Sequence, residues 1–115
     1  MGKSLGEFEQ MILFAVVSLG DEAYGAAIRR EIVVRTGREV STGAVYTVLE
    51  RLEQSGLVAS RVGSPTPERG GRRRKHYALR PEAARLLQQS RDRMHRMEQG
   101  LLGRLSGLTA EESHS

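Results

Sequence analysis

An α+β fold, mainly α-helical, is what this sequence predicts: three helices, a β-hairpin and one long terminal helix. Three observations carry that prediction. Apolar residues recur at helical spacing in three segments before Gly56. The period then switches to two on either side of the Pro- and Gly-rich stretch "SPTPERGG". Helical spacing resumes at Pro81 and continues at heptad intervals to Leu108.

The first helix is read over Leu5 to Leu19, with Leu5, Phe8, Ile12, Ala15 or Val16, and Leu19 on one stripe. Met11, Phe14 and Val17 fall off that stripe, so the helix carries more apolar surface than one contact covers. Gly20-Asp21-Glu22 breaks the pattern and places acids near the next helix start, where the dipole favours them. The second helix is read from Tyr24 to Thr36, with Tyr24, Ala27, Ile28 and Ile32 inward and Gly37 as its stop. Ser41 is placed to cap the third helix, "TGAVYTVLERLEQS", whose inward residues are Val45, Val48, Leu49 and Leu52. The short connection between the second and third helices forces a steep packing angle.

"LVASRV" and "KHYAL" then read as strands, so Leu57 to Leu79 forms a hairpin with a long tip. Pro81 opens a helix expected to run to about Leu105. Leu87, Met94, Leu101 and Leu108 are seven apart, with Ser90 and Met97 between them. That thin seam suits a helix that pairs with a partner. Residues 109–115, "TAEESHS", are polar and expected to be disordered. The whole order is that of a winged helix-turn-helix over residues 1–80, followed by a dimerisation helix over 81–108.

The chain has 115 residues, enough for one domain. It has no apolar run of transmembrane length and no leader pattern, so a cytoplasmic protein without a membrane partner is expected. The absence of cysteine excludes disulfides, thiolate metal sites and thiol nucleophiles. His76, His95 and His114 are too scattered to suggest a metal site. There is no P-loop, no Ser/His/Asp set and no paired carboxylate site. Glu50 and Glu53 flank Arg51 as on any solvated helix face. The reading is therefore no enzyme and no cofactor. Charge is more telling, because Arg61 to Arg80 holds seven cations against Glu68 alone, a local +6 in a chain of net +4. That concentration is the footprint of a polyanion binder.

In a helix-turn-helix the second helix of the motif enters the major groove with its N-terminal residues leading. The outward residues of the third helix are Thr42, Gly43, Tyr46, Thr47 and Glu50. Gly43 costs a helix about 1 kcal/mol relative to Ala, and close approach of a phosphate backbone explains its placement. Thr42 and Thr47 suit phosphates or base edges, and Tyr46 either donates to a phosphate or packs against the wing. In the wing, Arg69, Arg72, Arg73, Arg74 and Lys75 are the candidate phosphate contacts, and the Gly-Gly pair lets the backbone lie close to another surface. Strand alternation puts Arg74 and His76 on one side and Lys75 and Tyr77 on the other, so the cations cannot all face one phosphate row. His76 reads as passive. Phe8, Met11, Met94 and Met97 are candidates for a dimer cleft, either ordinary core or the lining for a small apolar effector.

These residues also carry a family resemblance. "LGEFEQMILFAVV", "YGAAI", "STGAVYTVLERLEQSGLV" and "ERGGRRRKHYALRPEA" together resemble the PadR family of bacterial transcriptional regulators, in its short form with a single C-terminal helix. The resemblance implies a homodimeric repressor whose first and last helices form the interface. It also implies that recognition helices and wing tips read a pseudo-palindromic operator in double-stranded DNA. The DNA-facing positions implied are Ser41, Thr42, Gly43 and Tyr46 in the helix, and Gly71, Arg72, Arg74 and Lys75 in the wing. Where the family commonly has Leu-Thr-Pro-x-Gly, this chain has Leu79-Arg80-Pro81-Glu82-Ala83, which loses a helix cap and leaves the angle of the last helix open. One two-fold interface would cover both the over-apolar first helix and the heptad seam. The rival reading is a winged-helix module for protein interaction or RNA binding, with no operator.

Overall fold

The computed structural model describes residues 4–63 and 74–113. In chain order the elements are α1 (Glu7–Leu19), a 3-10 turn (Gly20–Glu22), α2 (Gly25–Thr36), α3 (Thr42–Gln54), β1 (Val58–Val62), β2 (Lys75–Leu79), α4 (Pro81–Glu98) and α5 (Leu102–Ser113). Three helices, an antiparallel hairpin and a terminal helical arm make this a winged helix-turn-helix with a long C-terminal extension.

The apolar stripes converge on one core. Ile12 and Leu13 of α1, Ile28 of α2, Val45, Leu49 and Leu52 of α3, and Val58 of β1 are all enclosed. Ala83 and Leu87 join them from the first turns of α4. Each large side chain so buried contributes roughly 1.5–3 kcal/mol, which is ample to hold short helices that would not persist alone. Gly37 ends α2 in the left-handed region at φ 73, a conformation that favours glycine, and its N–H donates to the Val33 carbonyl at 2.9 Å. Arg29 then pins the turn, with Nε donating to the Val40 carbonyl at 2.8 Å. Ser41 caps α3 as its sequence position predicts, its hydroxyl accepting from the Ala44 N–H at 3.1 Å.

The hairpin pairs Val58 with Leu79 and ends with Val62 against Lys75. It is tied to the helices at its edge. Tyr24 bridges His76, and the Tyr77 N–H donates to the Ala23 carbonyl at 2.8 Å. This corrects the start of the second helix: Tyr24 is its extended N-cap, and α2 begins at Gly25.

The C-terminal arm departs most from expectation. Its long helix starts at Pro81 with no side-chain cap on Arg80, so loss of the family's Thr does not prevent initiation. The expected continuous run to Leu105 breaks after Glu98, because Gly100 takes φ 75, and helix resumes at Leu102. Residues 109–113, expected to be disordered, are the last turn of α5. Ala110 and Glu111 are strong helix formers and extend it.

Candidate nucleic-acid interface

The recognition face belongs to α3. Val45, Val48, Leu49 and Leu52 are buried, which turns Thr42, Gly43, Tyr46, Thr47 and Glu50 outward, all exposed. Ser41 is exposed as well, although its hydroxyl already accepts the cap hydrogen bond. Gly43 has nothing within 4 Å of the place where a Cβ would stand, and its φ is not positive. Nothing among the described residues therefore requires glycine there.

Tyr46 is 45% exposed, yet its ring tip is seated. A Cβ built on Gly25 would lie 2.3 Å from the Tyr46 Cζ and 2.5 Å from its hydroxyl oxygen. Only glycine at the first position of α2 leaves room for that ring. The ring tip packs on the start of α2, and Tyr46 also borders a polar groove of about 440 Å³ with Glu50, Glu53, Gln54, Lys75 and Tyr77.

Strand alternation sorts the wing cations as the sequence predicts. On the α3 side, the Lys75 Nζ pairs with Glu53 Oε1 at 3.1 Å, while the Ser60 hydroxyl donates to the other Glu53 oxygen. The Ser60 hydrogen bond first, then Lys75, holds the Glu53 carboxyl below its ordinary range, and Glu53 in turn raises Lys75. Lys75 is thus a strut between recognition helix and wing, with half its side chain still exposed.

On the opposite side, the Arg74 guanidinium lies over the Tyr24 ring, 4.0 Å from its centroid. His76 meets the same ring edge-on, with centroids 5.7 Å apart. Its Nδ1 is 2.8 Å from the Asp21 carbonyl, and since a carbonyl only accepts, Nδ1 carries the proton. Arg61 reaches the same carbonyl at 3.5 Å. Arg69, Gly71, Arg72 and Arg73, the remaining wing candidates, lie outside the described residues.

The cleft candidates lie on two elements, Phe8 and Met11 on α1 and Met94 and Met97 on α4. Phe8 packs against the core beneath Arg38, whose guanidinium sits 5.1 Å from its ring centroid. Met11 lines a groove of about 430 Å³ between α1 and α2 with Phe14, Val17 and Ile32. Met94 and Met97 line another, across the α4–α5 bend, with Leu101, Leu105 and Leu108. The sequence did not single out Gly25, Glu53 or Ser60 as parts of the site, nor Tyr24 beyond its inward face. The "YG" pair was visible, but what it contacts is set by distant segments.

Residues 13–89 match the family described as transcriptional regulator PadR-like. Among solved structures, the chain is similar to a PadR family transcriptional regulator from Eggerthella lenta, at 26% identity over 86% of this chain and 85% of that one, with a TM-score of 0.63. It is similar to a transcriptional regulator from Clostridium thermocellum, at 25% identity over 79% and 82% of the two chains, with a TM-score of 0.65. F93 from STIV, described as a winged-helix DNA-binding protein, shares the fold at 17% identity over 83% of this chain and 95% of that one, with a TM-score of 0.64. No curated protein matches the chain.

Proposed function

The chain belongs to the PadR-like family of transcriptional regulators, and from that premise we propose that it is a repressor which binds a pseudo-palindromic operator as a homodimer. The observation that carries this reading is the bare N-terminal half of α3, where Thr42, Gly43 and Thr47 are exposed beside a cationic wing. A helix presented in this way fits the major groove, with threonines for base edges or phosphates. Glu50 faces outward further along and repels phosphate, which favours contact through the N-terminal half. The contact set comprises Ser41, Thr42, Gly43, Tyr46 and Thr47 in α3. In the wing it comprises Arg69, Gly71, Arg72, Arg73, Arg74 and Lys75, the last keeping reach to a phosphate beside its bond to Glu53.

Dimerisation is supported by two uncovered apolar surfaces. Phe14 and Val17 on α1 are 46% and 59% exposed, and Met97 and Leu105 on the C-terminal arm are 71% and 57% exposed. A two-fold pairing of α1 with the partner's arm covers both and sets two recognition helices about one DNA turn apart. The same apolar grooves support relief of repression by a small apolar effector, detectable as displacement of a solvatochromic dye from the dimer. No helix among the described residues is long and apolar enough to cross a membrane, in keeping with action in the cytoplasm.

Selection from a random pool of duplex DNA tests the reading. A symmetric site recovered with salt-dependent affinity supports it. Recovery of no symmetric site favours the rival, a protein-interaction or RNA-binding module.

A further inference from the structure

We propose that Glu50 is a specificity-determining residue, its carboxylate accepting a hydrogen bond from the exocyclic amine of a cytosine in the major groove. The inference rests on the DNA-binding reading above. Val45, Val48, Leu49 and Leu52 fix the buried side of α3. Helical geometry then sets Gly43, Thr47, Glu50 and Gln54 in a row on the opposite side, and all four are exposed. In a helix lying in the major groove that row faces the floor, where the base edges are, while residues on either flank face the phosphate walls.

The flanks of α3 hold the cations. Toward the wing, the Lys75 ammonium pairs with Glu53 at 3.1 Å and keeps half its side chain exposed. Away from the wing, Arg51 is exposed, and its guanidinium has no hydrogen bond or ion pair among the described residues. Glu50 stands between these flanks. It borders the polar groove that Lys75 lines, yet Lys75 bonds to Glu53, and Glu50 acts on that ammonium only at a distance. The Glu50 carboxylate is thus left without a hydrogen bond or ion pair among the described residues. An ionised carboxylate only accepts, so a phosphate repels it and a base must offer it a donor.

The major groove offers two such donors, cytosine N4 and adenine N6. Adenine N6 lies between two acceptors, its own N7 and the O4 of the paired thymine, whereas cytosine N4 has only the O6 of the paired guanine beside it. Cytosine is therefore the base that a carboxylate meets with least repulsion. Thr47 and Glu50 are three residues apart, about 4.5 Å of helix rise. A helix that sets Thr47 on base edges brings Glu50 over pairs one or two steps away, at about 3.4 Å per step.

The experiment selects sites from a random duplex pool in parallel with wild type, Glu50→Ala and Glu50→Gln, and then titrates the selected duplexes. Thermal melts accompany each variant, and both are expected to match wild type because the side chain is exposed and unbonded. Wild type is expected to fix a C·G pair at one position in each half-site. Glu50→Ala is expected to accept any pair there, its preference for C·G falling about 10-fold. Glutamine matches the N6 and N7 of adenine, so Glu50→Gln is expected to gain A·T at the same position, a change that loss of a merely solvated charge would not produce. Replacing that cytosine by 2-pyrimidinone, which lacks the N4 amine, is expected to weaken wild type about 10-fold and to leave Glu50→Ala unaffected. Three results overturn the proposal: selection of the wild-type site by Glu50→Ala, relaxation at a pair other than C·G, or an equal effect of 2-pyrimidinone on both proteins. A wild-type protein that selects no symmetric site instead overturns the DNA-binding reading itself.

Discussion

The tip of the Tyr46 ring rests on the backbone of Gly25, so close that a Cβ there would stand 2.3 Å from Cζ. This contact joins the exposed face of the recognition helix to the first turn of the helix before it. Because Tyr46 is 45% exposed, its ring has somewhere to go when Gly25 acquires a side chain.

Gly25→Ala is accordingly expected to fold, with stability within about 1 kcal/mol of wild type, since the gain in helix propensity offsets the local crowding. The ring swings outward and DNA affinity falls about 10-fold, a change of roughly 1.4 kcal/mol. In a Tyr46→Ala background the same substitution leaves affinity unchanged. Thermal melts and duplex titrations measure both effects.

Gly43→Ala is predicted to move stability and binding in opposite directions. Open space surrounds the position, so a methyl group is accommodated and the helix gains up to about 1 kcal/mol. The same methyl group stands where a phosphate backbone would approach, and affinity drops. A higher melting temperature with undiminished binding would remove the reason for glycine here.

The Glu53 link makes wing attachment sensitive to acid. Its folded pKa is lowered, so its contribution is present above the ordinary glutamate value of about 4.3 and is lost as pH falls through the lowered value. Lys75 is raised, so its contribution is full below the ordinary lysine value of about 10.4 and is lost only as pH rises through the raised one. Protection of the Ser60 and Lys75 amides, taken relative to their intrinsic exchange rates, is expected to fall in acid in the wild type. In Glu53→Gln it is expected to show a flatter acid dependence.

A charge on the C-terminal arm tests the dimer. Met97→Glu with Leu105→Glu places two carboxylates on surface that the proposed interface buries. Sedimentation is expected to show a monomer for this variant and a dimer for the wild type. Circular dichroism should be little changed, because both residues are solvent-exposed within the chain.

Much of this molecule is legible in its sequence because local periodicity carries it. Val45, Val48, Leu49 and Leu52 point inward as their spacing requires, and the two strands fall within a residue of their expected bounds. The break at Gly100 was hidden because the heptad positions Met94, Leu101 and Leu108 continue across it. Contacts between distant segments were equally hidden. The alternation of β2 puts Arg74 and His76 on one side, but only the folded chain brings Tyr24 and Asp21 to meet them. The seat of Tyr46 on Gly25 has the same origin, since a glycine needed for a neighbour's ring looks like any other glycine in the chain.

The most direct test of DNA recognition through α3 and the wing is equilibrium binding of the full chain to its selected duplex over a series of salt concentrations. Wild type is compared with Arg72→Ala/Arg73→Ala and with Thr47→Ala. The arginine variant is expected to bind more weakly, with a salt slope smaller by about 0.9 for each phosphate it no longer neutralises. Thr47→Ala should keep the slope while discriminating less well between the selected and a scrambled duplex. Unaltered affinity and slope in the arginine variant, together with unaltered discrimination in Thr47→Ala, would contradict DNA recognition by these two elements.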